Sequence, residues 1–134
     1  MNRYLLDTNT CIDYLRGRHQ GLVARVRSKR PRELRLCSVV VGELFYGAHR
    51  SADPVANLRL VAEFVDSFIS LAFDDHCAEV SGKLRSTLEA SGAAVGPYDL
   101  QIASIAVARG LIVVTSNVSE FSRVPGLKLE DWRT

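Results

Sequence analysis

The 134-residue chain has three cysteines, three histidines and no long apolar run, and each shortage excludes a class of protein. Cys11, Cys37 and Cys77 are odd in number, widely spaced and without a C-x-x-C pair, which argues against a disulfide framework and a zinc site. They read as packing residues of a reducing compartment. His19, His49 and His76 are scattered, none with a second His or Cys at ligand spacing. No stretch approaches the ~18 consecutive apolar residues of a membrane span. The N-terminus runs straight into Tyr4-Leu5-Leu6-Asp7 and lacks a basic segment followed by a long apolar one, so it reads as a first strand and not as a signal peptide. The expected location is cytoplasmic. Internal repeats, low-complexity segments and linkers are also missing, and residues 1–134 read as one domain with one core.

Charge is present but uneven. Residues 1–50 hold ten Lys/Arg against four Asp/Glu, and residues 51–134 hold seven against eleven, within a net charge of only +2. The basic residues gather at Arg25, Arg27, Lys29, Arg30, Arg32 and Arg35, opposed only by Glu33. Such a run suits a solvated helix end or a phosphate-facing patch, and Arg25, Arg27, Lys29 and Arg30 are its phosphate-binding candidates if an acidic metal site lies nearby.

Apolar runs and turn signals predict alternating strands and helices. Tyr4–Leu6 reads as a buried strand, and Thr8, Asn9 and Thr10 as caps of a helix through Leu15. A helix over Gly21–Ser28, a strand at Leu34–Leu36 and a helix over Val39–Ala48 capped by Ser38 follow. Asp53-Pro54 opens a helix to about Phe68, Ile69–Phe73 is a third strand, and Asp74-Asp75 opens a helix to Ala90. Leu100–Arg109 is a helix closed by Gly110, Leu111–Thr115 the clearest buried strand, and Leu127–Leu129 a last one. This order predicts an α/β fold with a mostly parallel sheet flanked by helices, whose ligand site lies outside the carboxyl ends of the strands.

Three apolar segments each carry an acid: Leu5-Leu6-Asp7-Thr8-Asn9, Ser38-Val39-Val40-Val41-Gly42-Glu43 and Gly96-Pro97-Tyr98-Asp99. An unpaired buried carboxylate loses several kcal/mol of hydration, so three converging ones call for a cation. Hard oxygen ligands favour Mg²⁺ or Mn²⁺, a setting suited to phosphodiester chemistry.

These runs, with Tyr46-Gly47-Ala48, Leu100-Gln101-Ile102-Ala103, Leu111-Ile112-Val113-Val114-Thr115-Ser116-Asn117, Glu120-Phe121 and the ending Gly126-Leu127 to Glu130-Asp131-Trp132, resemble PIN-domain ribonucleases, in order and spacing the VapC toxins of type II toxin–antitoxin modules. The resemblance implies a PIN-like three-layer fold. It implies Asp7, Glu43 and Asp99 as the central acids, with Asp7 and Asp99 as Mg²⁺ ligands. The fourth acidic position of many PIN domains falls at Asn117, and Glu120, three residues on, is its candidate substitute in catalysis. Thr8, Asn9, Thr115 and Asn117 would support the carboxylates. The implied activity is endoribonucleolytic cleavage that stops translation, with the initiator-tRNA anticodon stem-loop as the expected target. The implied partners are a VapB-type antitoxin, the RNA and a second copy of the chain. Two alternatives stand beside this reading: a catalytically inactive PIN-fold binding module, and a phosphatase with Asp7 as nucleophile. The latter lacks the second Asp two residues on, where Asn9 stands, and has no evident downstream Lys.

Overall fold

The computed structural model describes residues 2–133. Five parallel strands, β1 (Tyr4–Leu6), β2 (Leu34–Cys37), β3 (Ile69–Leu71), β4 (Ile112–Val114) and β5 (Lys128–Glu130), form one sheet in the order β3-β2-β1-β4-β5. Seven helices connect them: α1 (Thr8–Leu15), α2 (Gln20–Ser28), α3 (Ser38–His49), α4 (Pro54–Asp66), α5 (Asp75–Ala90), α6 (Pro97–Arg109) and the single turn α7 (Val118–Phe121). The α/β, three-layer arrangement matches the expectation. No helix among the described residues is long and apolar enough to cross a membrane.

The central strands read as unbroken apolar runs because helices cover both faces of the sheet. Leu5, Leu6, Leu36, Val113 and Val114 are fully buried. Helix α6 buries Ile102 through Ala106 in succession, which only a helix enclosed by neighbours can do. The edge strand β3 is largely exposed and shorter than the apolar run Ile69–Phe73 suggested.

Four local differences from the sequence reading matter to the site. The cap of α1 is Asp7 itself, whose carboxylate accepts from the Thr10 amide at 2.9 Å, so Thr8 and Thr10 are already helical. Cys37, not Ser38, stands at the cap position of α3, and the Ser38 hydroxyl instead accepts from the Phe73 amide. Helix α6 begins at Pro97, a residue pre-set for the first helical position, which places Asp99 inside the first turn. α7 was not foreseen, since four residues carry no readable periodicity.

Chain order reverses between β1 and β4. β2 and β3 lie on one side of β1, and β4 and β5 on the other, so the region outside the β1 and β4 ends is the topological switch point. The pairing Leu6↔Val114 sets Asp7 beside Thr115 there.

Candidate active site

Asp7 leaves the end of β1 with its amide donating to the Val114 carbonyl at 3.1 Å. It is buried, with only 3% of its surface accessible. Burial pushes its carboxyl up from the ordinary range, and hydrogen bonds from Thr115 and Thr10 pull against that rise. Thr10 adds a second tie, its hydroxyl donating to the Val114 carbonyl at 3.0 Å. The carboxylate is thus fixed by both strands at the switch point.

The other acids arrive from three further elements. Glu43, on α3, accepts a 2.6 Å hydrogen bond from the Thr8 hydroxyl at Oε1. Asp99, half-buried on α6, has its carboxyl pushed up to about 7 by burial and by the charges of Glu120, Asp7 and Glu43. Glu120, on α7, accepts from the Gly96 amide at 2.8 Å through Oε1 and from the Asn117 side-chain amide at 2.9 Å through Oε2. Those hydrogen bonds, Gly96 foremost, hold its carboxyl below the usual range. Asn117 in turn donates its backbone amide to the Thr115 hydroxyl at 2.9 Å. Asp7, Glu43 and Glu120 therefore all lie near enough to Asp99 to act on its carboxyl.

The predicted supports divide. Thr8, Thr115 and Asn117 each hold or brace an acid. Asn9 is exposed and its side chain makes no hydrogen bond among the described residues. Among those residues no three His, Cys, Asp or Glu side chains close into a ready-made cation cage. The acids instead line an open cleft, a setting in which Mg²⁺ keeps several waters and takes one or two carboxylates. Burial first, and the neighbouring carboxylates after it, raise the Asp99 carboxyl, and a hard divalent cation would offset both, so the donor set fits such an ion.

A model of the PIN domain matches residues 4–127. The chain belongs to the PIN-domain family. Over 132 residues, 98% of this chain and 99% of the relative, it is 39% identical to the tRNA(fMet)-specific endonuclease VapC of Salmonella typhimurium, and 32% identical with the same coverage to ribonuclease VapC2 of Haemophilus influenzae. Its fold superposes on DNA-bound VapBC from Salmonella typhimurium with a TM-score of 0.92 at 39% identity, covering 98% of this chain and 99% of that one. VapBC2 from Rickettsia felis, bound to a promoter DNA fragment, gives 0.86 at 31%, covering 96% and 98%. These matches set aside the phosphatase alternative.

The basic run of this PIN domain is not one surface. Arg25 donates to Glu130 at 3.2 Å and lies 5.0 Å over the Trp132 ring, and Lys29 stands 4.9 Å from the Tyr4 ring and 5.6 Å from that of Trp132. Together they tie the C-terminal end of α2 and the residue after it to β1, β5 and Trp132. Arg35 is largely buried within β2, and its guanidinium donates to the Arg32 carbonyl and, at 3.1 Å, to the Leu34 carbonyl. Arg27 and Arg30 are exposed and make no ion pair among the described residues.

Sequence reading also passed over functional neighbours. The Gly96 amide and the doubly bonded Thr10 left no signal beyond the spacing Asp7-x-x-Thr10, a helix-cap pattern. The cysteines match expectation. All three are buried, and burial raises every thiol, Cys37 to about 11, leaving no thiolate nucleophile near neutrality.

Proposed function

We infer that this chain is an endoribonuclease toxin of VapC type that cleaves structured RNA and so arrests translation. The observation that carries the reading is the convergence of Asp7, Glu43, Asp99 and Glu120 at the switch point, within a chain 39% identical over nearly its whole length to a named tRNA(fMet)-specific endonuclease. Initiator tRNA is the substrate that this relative's name favours. A VapB-type antitoxin is the partner that the matched VapBC complexes support, and a second copy of the chain would complete the assembly.

Asp7 and Asp99 would hold Mg²⁺ or Mn²⁺, which when bound supplies Lewis acidity and a charge that neutralises the phosphodiester. The chain's own residues do the rest. Asp7, locked by Thr10 and Thr115, gives a rigid anionic wall. Glu43, oriented by Thr8, is placed to accept a proton from an attacking water. Glu120 is fixed by Gly96 and Asn117 and holds the start of α6, and with it Asp99, against the cleft.

The test is cleavage of purified tRNA by the antitoxin-free protein, with RNA 5′ ends sequenced afterwards. Cleavage at one site in the anticodon stem-loop, lost in EDTA and in Asp99→Asn, is the expected result. Intact RNA under all metal conditions would leave the inactive binding module as the reading.

A further inference from the structure

Beside the acids lies a groove of about 660 Å³ lined by Ser38, Val39, Glu43, Tyr46, Tyr98 and Gln101 among others. The large apolar side chains left exposed include two aromatic ones, Tyr46 at 67% and Tyr98 at 60%, and both stand here. Neither ring joins an aromatic pair among the described residues, so each presents an uncovered π-face.

Both tyrosines are tied in sequence to a site acid. Tyr46 follows Glu43 by three positions on α3, a spacing that makes them surface neighbours, and Tyr98 directly precedes Asp99 in the first turn of α6. Glu43 is itself part of the groove wall, and Tyr98 in that wall is the neighbour of Asp99, so the groove adjoins the acids. The lining contains no Lys or Arg, and its one charge is the Glu43 carboxylate, which repels an anion. A phosphate is therefore a poor occupant. A neutral, flat, hydrogen-bonding group is a good one: the phenol rings offer stacking faces, and the Gln101 amide and Ser38 hydroxyl offer donors and acceptors to an edge. Single-stranded RNA is held in this way, by bases splayed onto aromatic side chains.

We propose that Tyr46 and Tyr98 form a base-stacking site that takes an unpaired nucleobase next to the scissile phosphate, with Gln101 reading its edge. The proposal rests on the ribonuclease reading above and deepens it. It explains how a net acidic cleft holds RNA at the cutting point, through the uncharged part of the nucleotide, and it makes an unpaired loop the preferred substrate.

The test uses an RNA hairpin with 2-aminopurine in its loop, and the same label inside a perfect duplex. Fluorescence is followed with Ca²⁺ present, and cleavage is measured separately with Mg²⁺. The wild-type protein is expected to change the loop signal and not the duplex signal. Tyr46→Ala and Tyr98→Ala should each weaken hairpin affinity about tenfold and raise KM more than they lower kcat, whereas Tyr46→Phe and Tyr98→Phe, which keep the ring, should stay near wild type. Circular dichroism confirms that each variant is folded. Cleavage by wild type with unchanged affinity and KM in both Ala variants would overturn the stacking site and leave the ribonuclease intact. A wild-type protein that neither binds nor cuts the hairpin would overturn both. If Tyr46→Ala or Tyr98→Ala converts a dimer to monomers with RNA affinity per chain unchanged, the groove is a chain–chain contact and the proposal fails.

Discussion

The Thr8 hydroxyl donates to Glu43 Oε1 at 2.6 Å, joining the first turn of α1 to the middle of α3 across 35 positions of sequence. It is a short, charge-assisted contact between partly buried groups, the kind that fixes an angle as well as adding energy. Glu43 has no hydrogen bond to its neighbours on α3, so Thr8 is what aims it.

Replacing Thr8 by Val keeps the shape and removes that donor. Hydrogen bonds to charged groups contribute about 1.5–3 kcal/mol when buried, and partial exposure here reduces the expected loss to about 1 kcal/mol. Cleavage should fall tenfold or more, because a small misplacement of a reacting group costs disproportionately. Thermal melting and single-turnover rates check the two effects separately. An unchanged rate would show that Glu43 needs no aiming.

Metal-free protein should be less stable at pH 7.5 than at pH 5. The Asp99 carboxyl keeps its proton to about pH 7 in the folded chain, whereas an aspartate in an unfolded chain has released it above about pH 4. The folded state then binds more protons between those values, so unfolding free energy falls as pH rises through that window. Asp7 shifts in the same direction. Asp99→Asn should flatten the slope and raise the metal-free thermal midpoint at pH 7.5 by a few degrees, about 1 kcal/mol after allowance for solvent screening. Mg²⁺ or Mn²⁺ should raise the wild-type midpoint at that pH and leave Asp99→Asn nearly unmoved. A wild-type midpoint that is flat with pH in EDTA would contradict the charge crowding.

Glu120 can be tested for charge and for structure independently. In Glu120→Gln the new amide oxygen can still accept from Gly96, and Asn117 can turn its amide to receive the new N–H donor, so the clasp survives without its charge. Glu120→Ala removes both acceptors. Hydrogen exchange at the Gly96 amide should accelerate in the Ala variant and not in the Gln variant. If Gln preserves cleavage and Ala loses it, Glu120 works by holding α6. If both lose it, the negative charge itself is required.

Among the basic residues, Arg25→Ala should cost stability first, about 1 kcal/mol, because it strips a contact from Glu130 and another from Trp132. Arg27→Glu with Arg30→Glu, at exposed unpaired positions, should instead weaken RNA binding and flatten its salt dependence. RNA titrations at several salt concentrations separate them. Equal slopes for wild type and the double variant would remove these arginines from the RNA surface.

What could be read in advance was whatever local pattern encodes. Asp7 ends an apolar run, Asp99 follows Gly-Pro-Tyr, and the buried strand before Thr115 is unbroken, so the succession of strands and helices and three candidate acids were legible. The contacts that give those acids their character were not. Thr8 meets Glu43, and Gly96 meets Glu120 across 24 positions, only because the sheet and helices bring them together. Arg35 reads as part of a surface charge run even inside the strand expected at Leu34–Leu36, because so short a run does not show that both of its faces are covered. Tyr46 and Tyr98 stood in sequence as motif letters, and only folding showed that neither is covered.

The reversal of strand order at β1 and β4 has a consequence for biosynthesis. Asp7 precedes Asp99, Thr115 and Glu120 by more than ninety positions, and Thr115 is itself held by a strand ending at Glu130. The acids cannot be assembled until the segment through Glu130 has been made. A nascent segment that stops short of β4 therefore carries Asp7 without the partners that complete its site.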